Sequence, residues 1–341
     1  MSPSRDSSRA TLADVARRAG VSLSTASRAL NDQAGPSLET RQAVAVAATA
    51  LRFRPSRLAR SLRMQRTHTI GFVVPDISSP FYAAVLRSAH EYLHDLGYRV
   101  MLMNSNRNTG EEVEALTALL DHPVDGLLVA TTGLRASQFE RTVGAGVPCV
   151  FFDGIVTGAG TGSVGVMNEE GMGILVEHLV GHGHRRIALL AGLPTETTGI
   201  ERLRGFKAAM KRHGLPIPRG YVRICDWSPE SALSDTRELL ALGAPPTAIV
   251  TASDDLAFGC LAACREAALA LPGDLAVVSF DDPFFGDLLQ PPLTALTSKP
   301  VEIGRISASL LIDALGGDSP AERHIRLPVS LVRRASCGCV A

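Results

Sequence analysis

The residues of this 341-residue chain best suited to chemistry are carboxylates and arginines placed at the ends of apolar stretches. Asp76 and Ser78–Ser79 follow TIGFVV, Asp153 ends PCVFFD, and Asp254 and Asp281–Asp282 follow AIVTAS and LAVVSF. Arg202 comes just after the loop LPTETTG, and Trp227, the only tryptophan, follows YVRICD. Carboxylates and a guanidinium hydrogen-bond a polyhydroxylated ligand in bidentate fashion, and an indole face stacks on a sugar or a base. Any one of these carboxylates reads equally well as a helix N-cap or turn residue. No catalytic pattern assembles from them: there is no G-x-S-x-G elbow, Walker phosphate loop or G-x-G-x-x-G fingerprint. The glycine-rich TGAGTGSVG misses the dinucleotide spacing, and the adjacent Asp281 and Asp282 face opposite ways in an extended segment. No enzyme activity, catalytic residue or cofactor is expected.

A second chemistry is electrostatic. The net charge is zero, but residues 1–66 hold twelve Arg and no Lys against four acidic residues, a balance of +8, which leaves −8 for the remainder. Such asymmetry points to a polyanion partner for the basic end; from charge alone a solvated basic tail would look the same.

The elements that carry these charges can be read from periodicity. Thr11, with Asp14 three residues on, forms a capping box for a first helix bearing Leu12, Val15, Ala16 and Ala19, and Gly20 suits a left-handed C-terminal residue. Ser22 caps a second helix to about Leu30, with Ala26, Ala29 and Leu30 inward and Leu23, Ser24, Ser27 and Arg28 on the opposite face. A third helix beginning near Ser37 buries Val44, Ala47, Ala48 and Leu51. Two helices around a tight turn, propped by a third, form a helix-turn-helix whose slim second helix enters a major groove. Arg28 suits a guanine, and Ser24 and Leu23 a base edge and a thymine methyl; an ordinary three-helix bundle with a solvated Arg28 is the plainer alternative. After Phe53-Arg54-Pro55, SRLARSLRMQRT offers one more short helix with Arg57, Arg60 and Arg63 on one side. About two turns are too few to be stable alone, so this helix needs a partner. An apolar Leu62 on a basic helix can wedge between base steps from the minor groove, although a basic linker with leucines against the body is also possible.

From His68 onward strand-like and helical stretches alternate, which implies parallel, doubly wound sheets. The strands are TIGFVV, RVMLMN, GLLVAT, PCVFFD, IALLAG, AIVTAS and LAVVSF, with helices starting near Phe81, Gly110, Glu170, Ile200, Pro229, Leu256 and Val301. His178, His182 and His184 have spacings that could seat a metal, but no completing ligand or base is evident. Cys337-Gly338-Cys339 is a weak metal or redox hint that reads more simply as an untethered tail. No metal site is expected, and the six scattered cysteines read as reduced thiols.

The ordered motifs TLADVARRAGVSLSTASRALN, ETRQAV, RPSRLARSL, HTIGFVVPD, VDGLLV, GHGHRRIALLAG, RLRGF, SFDD and LPVSLVRRAS together resemble the LacI/GalR family of regulators, from Thr11 to Ser336. The resemblance implies an all-α helix-turn-helix DNA-binding head over 1–55, a hinge helix over 56–67, and an α/β body over 68–341. That body is of the periplasmic-binding-protein-like kind, with two lobes of doubly wound parallel sheet and an effector between them. Lobe crossovers are expected near Asp153–Val166 and Asp281–Thr294. By position, base reading falls on Leu23, Ser24 and Arg28, the minor-groove lever on Leu62, and support of the head on Ser22, Ser27 and Asn31. Effector contacts fall on Phe81, Tyr82, Asp153, Thr198, Arg202, Trp227 and Asp281. An arginine that clamps the ring in the purine-repressor branch falls near Glu196, which is acidic here, so a sugar or related polar metabolite is the expected effector.

The resemblance implies a ligand-controlled repressor that binds a palindromic double-stranded DNA operator as a homodimer, with no membrane partner. The chain's polar first residues lack the apolar core of a secretory signal, so the cytoplasm, on the nucleoid when DNA-bound, is the expected location. The absence of a leucine heptad tail after Arg333 favours a dimer over a tetramer. A plain sugar-binding protein or an α/β enzyme with an incidental helical head is the rival; the first lacks a signal peptide and the second a nucleophile or phosphate loop.

Overall fold

The computed structural model describes residues 10–31, 33–53, 66–144, 146–317 and 323–339, which divide into a unit ending at Thr67 and a second beginning at His68. The expected hinge positions Arg57, Arg60 and Leu62 lie outside the described residues.

In the first unit, α1 (Leu12–Ala19), α2 (Leu23–Leu30) and α3 (Leu38–Ala50) each begin where a small hydroxyl residue accepts an otherwise orphaned amide proton. The Thr11 hydroxyl accepts from the Asp14 amide while the Asp14 carboxylate accepts from the Thr11 amide, completing the capping box. Ser22 and Ser37 do the same for Thr25 and Thr40. Gly20 stops α1 at φ 68°, which a side chain would resist. The three helices close on Val15, Ala16, Ala26, Ala29, Val44, Ala47 and Ala48, a core of small residues that brings their axes close.

The second unit holds two six-stranded sheets. The first is ordered β11 (Arg323–Leu327), β5 (Gly162–Val166), β4 (Cys149–Phe152), β3 (Gly126–Val129), β1 (Thr69–Val74), β2 (Arg99–Asn104), all parallel. The second is ordered β12 (Ser330–Val332), β10 (Thr294–Thr297), β9 (Ala276–Ser279), β8 (Ala248–Thr251), β6 (Ile187–Ala191), β7 (Val222–Ile224), parallel except for the antiparallel edge strand β12. Strands β3, β4, β6, β8 and β9 are buried at every residue. They are continuous apolar runs rather than alternating ones because helices cover both faces. The covering helices are α4 (Pro80–Asp95), α5 (Thr109–Asp121), α6 (Ala136–Val143), α7 (Asn168–Gly181), α8 (Thr197–Arg212), α9 (Pro229–Leu240), α10 (Asp254–Glu266) and α11 (Pro300–Gly316).

The chain changes lobe later than the sequence suggests, and three times rather than two. β5 still pairs in the first sheet, so the first crossing is at Val166–Asn168, the end of the expected window at Asp153–Val166. Asp281–Thr294 stays in the second lobe, because β10 pairs with β9; the return comes at Thr297–Pro300, and α11 then packs on α4 of the first lobe. A third crossing, from β11 to β12, spans Leu327–Ser330. These strands were missed for a physical reason: GSVGV carries little apolar mass, and β7, β11 and β12 are short or half-exposed.

The return helix depends on a close approach. A Cβ on Gly304 of α11 would lie 2.2 Å from the Val85 carbonyl oxygen of α4, while the Ser88 hydroxyl donates to the Val301 carbonyl at 2.8 Å. Gly304→Ala is expected to force the helices apart and lower stability by about 1–3 kcal/mol, as overpacking of a buried contact does; a lower denaturant midpoint at unchanged slope is the expected reading.

Candidate functional site

Two surfaces gather the residues singled out by sequence. On the first unit, α2 presents Leu23, Ser24 and Arg28 to solvent, with Leu23 54% exposed. Ser27 is half-buried on the same helix. Ser22 acts as the N-cap and its hydroxyl also meets those of Ser24 and Thr25 at 2.9 and 2.8 Å. Asn31 closes the helix, its amide donating to the Ser27 carbonyl at 2.7 Å. Small residues inward and an exposed leucine, serine and arginine outward make α2 a slim ridge able to enter a DNA groove.

The second surface is a narrow cleft within the two-lobed unit, and all seven effector positions line it: Phe81, Tyr82, Asp153, Thr198, Arg202, Trp227 and Asp281. They come from the carboxyl ends of strands and the starts of helices, where doubly wound sheets bind ligands. Ser79, Arg107, Glu196, Ser253, Asp254 and Asp255 complete the lining.

From the first lobe, Tyr82 donates its hydroxyl to Asp153 at 3.0 Å and packs edge-on against Phe81. Asp153 has φ 58°, and Trp227, opposite in sequence and lobe, has φ 68°. Such left-handed backbone costs a non-glycine residue of the order of 1 kcal/mol and concentrates at functional sites. Trp227 also lies so close on the end of β6 that a Cβ on Gly192 would fall 1.8 Å from its ring. Glycine is therefore required there to seat the indole.

Arg202, only 4% exposed, is the centre of the second-lobe wall. Its Nε donates to the Asn168 side chain at 2.9 Å, its Nη1 to the Ala252 carbonyl and to Asp281 at 3.1 Å, and the guanidinium stacks 3.7 Å above the Phe280 ring. Asp281 keeps its second oxygen, Oδ1, buried without a hydrogen-bond partner among the described residues. A chain of contacts leads outward: Asn168 donates to Glu201 at 2.7 Å, and Glu201 accepts from Arg326 of β11 at 2.8 Å. This wall of the cleft is thus joined to the strand beside two of the lobe crossings.

Across the cleft, Arg107 donates to Asp76 at 3.4 Å and to Asp255 at 3.1 Å, tying the end of β2 to the start of α10. Sequence reasoning missed Arg107; its signal was the polar turn NSNRNTG directly after a strand. It also missed Asp255 and Ser253, which sit at the start of α10, where Ser253 is the N-cap. Of the other carboxylates noted, Asp76 accepts from the Ser78 amide and hydroxyl in a tight turn, and Asp282 is held by Arg334 at 2.6 and 3.0 Å, away from the cleft lining. For Asp282 the turn-type structural role prevails. Asp254 serves both readings, lining the cleft from the first turn of α10.

Five carboxyls and two guanidiniums share this cleft. Burial raises Asp153, and the nearby Asp281 charge adds to the rise although Arg202 opposes it. Burial and the Asp153 charge push Glu196 up to about 7, and burial with Asp281 and Asp255 pushes Asp254 up to about 7. The Trp227 indole N–H faces Glu196 without a well-formed hydrogen bond. Neighbouring carboxyls that cannot all ionise give the cleft both donors and acceptors near neutrality.

A raised carboxyl makes folding take up a proton. Between the ordinary Glu value of 4.5 and about 7, the folded chain holds a proton on Glu196 that the unfolded chain has lost. Stability from this group therefore falls as pH rises through that window and levels off above it. Glu196→Gln is expected to be nearly neutral at pH 4 and to gain about 3 kcal/mol at pH 8 in the ligand-free chain, read from urea unfolding at the two pH values.

Comparisons with known proteins agree with both units. Residues 11–56 match the model for bacterial regulatory proteins of the lacI family, and residues 176–337 that for a periplasmic binding protein-like domain. The chain is 32% identical to the ribose operon repressor of Escherichia coli K12, covering 96% of this chain and 99% of that protein. It is 29% identical to catabolite control protein A of Priestia megaterium over 96% of this chain and 98% of that one. Among solved structures, the lac repressor dimer bound to operator and the anti-inducer ONPF superposes with a TM-score of 0.85 at 30% identity, covering 96% and 99% of the two chains. A complex of the transcriptional regulator CelR with cellobiose superposes at 0.71 with 30% identity, covering 96% and 100%. With a capped helix-turn-helix head, two parallel-sheet lobes and full-length relatives of this kind, the chain belongs to the LacI family of bacterial regulatory proteins.

Proposed function

We propose that this protein is a homodimeric transcriptional repressor that reads a two-fold operator with α2 and is controlled by a neutral, polyhydroxylated ligand, a sugar, bound in the cleft. The observation that carries the ligand reading is the buried Arg202–Asp281 pair, whose Asp281 Oδ1 lacks a partner among the described residues. An acceptor held dry beside a guanidinium suits a hydroxyl that donates to one and accepts from the other. With carboxyls outnumbering guanidiniums in the lining, a phosphosugar or sugar acid would meet repulsion, whereas hydroxyl groups use every partner. The Trp227 face supplies the apolar floor on which a pyranose or furanose packs. The names of the ribose operon repressor and of the cellobiose complex point to the same ligand class.

In this reading Leu23, Ser24 and Arg28 meet base edges, Ser22, Ser27 and Asn31 hold the helix, and Arg57, Arg60 and Leu62 act in the minor groove at the operator centre. Ligand and operator favour different lobe arrangements, so each weakens or strengthens the other by the same factor. The lining suggests binding rather than catalysis. The protein works in the cytoplasm, on the chromosome; among the described residues no helix is long and apolar enough to cross a membrane.

An exposed apolar cluster in the second lobe supports the dimer reading. Phe284, Phe285 and Leu288 are 80%, 61% and 71% exposed, and the two rings contact each other edge-on. Apolar side chains of this size clustered in solvent mark an interface.

Two experiments test the proposal. In a thermal-shift screen against neutral sugars, sugar acids, phosphosugars, nucleosides and purines, a neutral sugar is expected to raise the melting temperature with concentration. Arg202→Ala is expected to abolish that rise; a response confined to anionic compounds would overturn the ligand assignment. In sedimentation equilibrium, the wild type is expected at twice the chain mass and Phe285→Asp at the chain mass, with operator affinity reduced at least about tenfold because two half-sites are no longer engaged together.

A further inference from the structure

Away from the cleft, four metal-ligating side chains converge at the carboxyl end of α7. His178 and His182, one helical turn apart, meet Cys337 and Cys339 from the end of the chain, and all four donor atoms lie within 4.8 Å of one another. His178 Nε2 is 3.1 Å from Cys337 Sγ and 3.6 Å from Cys339 Sγ, and His182 Nε2 is 3.3 Å from Cys339 Sγ. A tetrahedral ion with bonds of about 2.3 Å to sulfur and about 2.05 Å to nitrogen has sulfur–nitrogen edges of about 3.5 Å. The three sulfur–nitrogen spacings lie within about 0.5 Å of those edges. We propose that His178, His182, Cys337 and Cys339 form a tetrahedral site for a borderline-soft cation, Zn2+, that clamps the chain's end to α7.

The surroundings are those of a built site. Gly338, at φ 94°, turns the backbone so that the two flanking cysteines point to one centre, and a Cβ there would approach His182 Nδ1 to 3.7 Å. Cys337 is 1% exposed yet lies 3.1 Å from the buried Thr294 hydroxyl. The Thr294 oxygen already accepts from the Arg334 amide at 2.9 Å, so its proton is free to stabilise a thiolate sulfur. Thiolate and neutral imidazole are the forms that bind metal. Two sulfurs and two nitrogens in a tetrahedron select zinc over the oxygen-seeking Mg2+ and Ca2+. Sequence spacing alone hid the set: His184, the third histidine of the cluster, turns away to Thr247 at 3.1 Å, and the missing ligands arrive from 157 residues downstream.

The clamp would tie the segment from Cys337 to Cys339 to α7. Ser336 bonds to β9 and β10 through Val277 and Thr294, and the ion would extend that anchorage across to α7 by closing a long loop.

The test uses the full chain, reduced with a phosphine and stripped with a chelator, then titrated with Co2+ and back-titrated with Zn2+. The expected result is one Co2+ per chain, with the visible bands of a tetrahedral ion and thiolate-to-cobalt charge transfer, displaced by one equivalent of Zn2+. Zn2+ alone should raise the melting temperature and protect Cys339 from alkylation. Cys339→Ser and His182→Ala, both at less buried positions, should each weaken cobalt binding by at least about tenfold, the loss that follows removal of even an outer partner of a metal ligand. A reduced, folded chain that takes up no Co2+, or uptake that persists in the double variant and so belongs to other thiols, overturns the site.

Discussion

A guanidinium removed from water organises the cleft of the two-lobed unit. Burying Arg202 would cost several kcal/mol if it were left unpaired, so its partners must arrive together. They come from separate segments: Asn168 at the start of α7, the carbonyl of Ala252 after β8, Asp281 after β9, and the Phe280 ring beneath. Each of those segments leaves its strand or enters its helix where the guanidinium needs it. The same Asn168 passes the linkage to Glu201 and then to Arg326 in the other lobe, so the wall of the cleft and the crossings share one polar network.

The cleft is balanced against itself. Asp153, Glu196, Asp254, Asp255 and Asp281 repel one another, and only Arg107 and Arg202 offset them. Arg107 is the one that reaches across, from Asp76 in the first lobe to Asp255 in the second. Protonation of Glu196 and Asp254 near neutrality relieves part of the repulsion. A ligand with hydroxyl donors in this cleft, as proposed above, would relieve it by another route and so bind different lobe arrangements with different affinities.

Much of this could be read from the residues. The caps at Thr11, Ser22 and Ser37 and the stop at Gly20 announce the head's helices, because capping chemistry is local. Six of the seven apolar strands stand out for the same reason that they are buried, while β2 is a half-exposed edge strand whose own apolar run marks it. All seven cleft positions carried over from the family gather around one cavity. What escaped was non-local or compositionally faint. β5 is glycine-rich, and β10, β11 and β12 owe their existence to pairing rather than to their own propensity. Arg107 joins the cleft because the turn after β2 takes left-handed backbone at Asn106 and Arg107, which no periodicity records. The four-ligand cluster needed the fold to bring residues 178 and 339 together.

The three crossings carry a consequence for how the protein is made. The first sheet is not finished when its fifth strand emerges at Val166; its edge strand β11 and the helix α11 that covers β3 and β4 are encoded after residue 299. A ribosome therefore releases the head early, most of the second lobe later, and the closing strand of the first lobe only just before the second lobe's own edge strand β12. Until then the α4 face that awaits Gly304 stays uncovered in the nascent chain. Such long-range closure is slow and leaves apolar surface open to other chains and to chaperones. The half of the body that begins first in sequence is thus closed only after most of the other half has emerged.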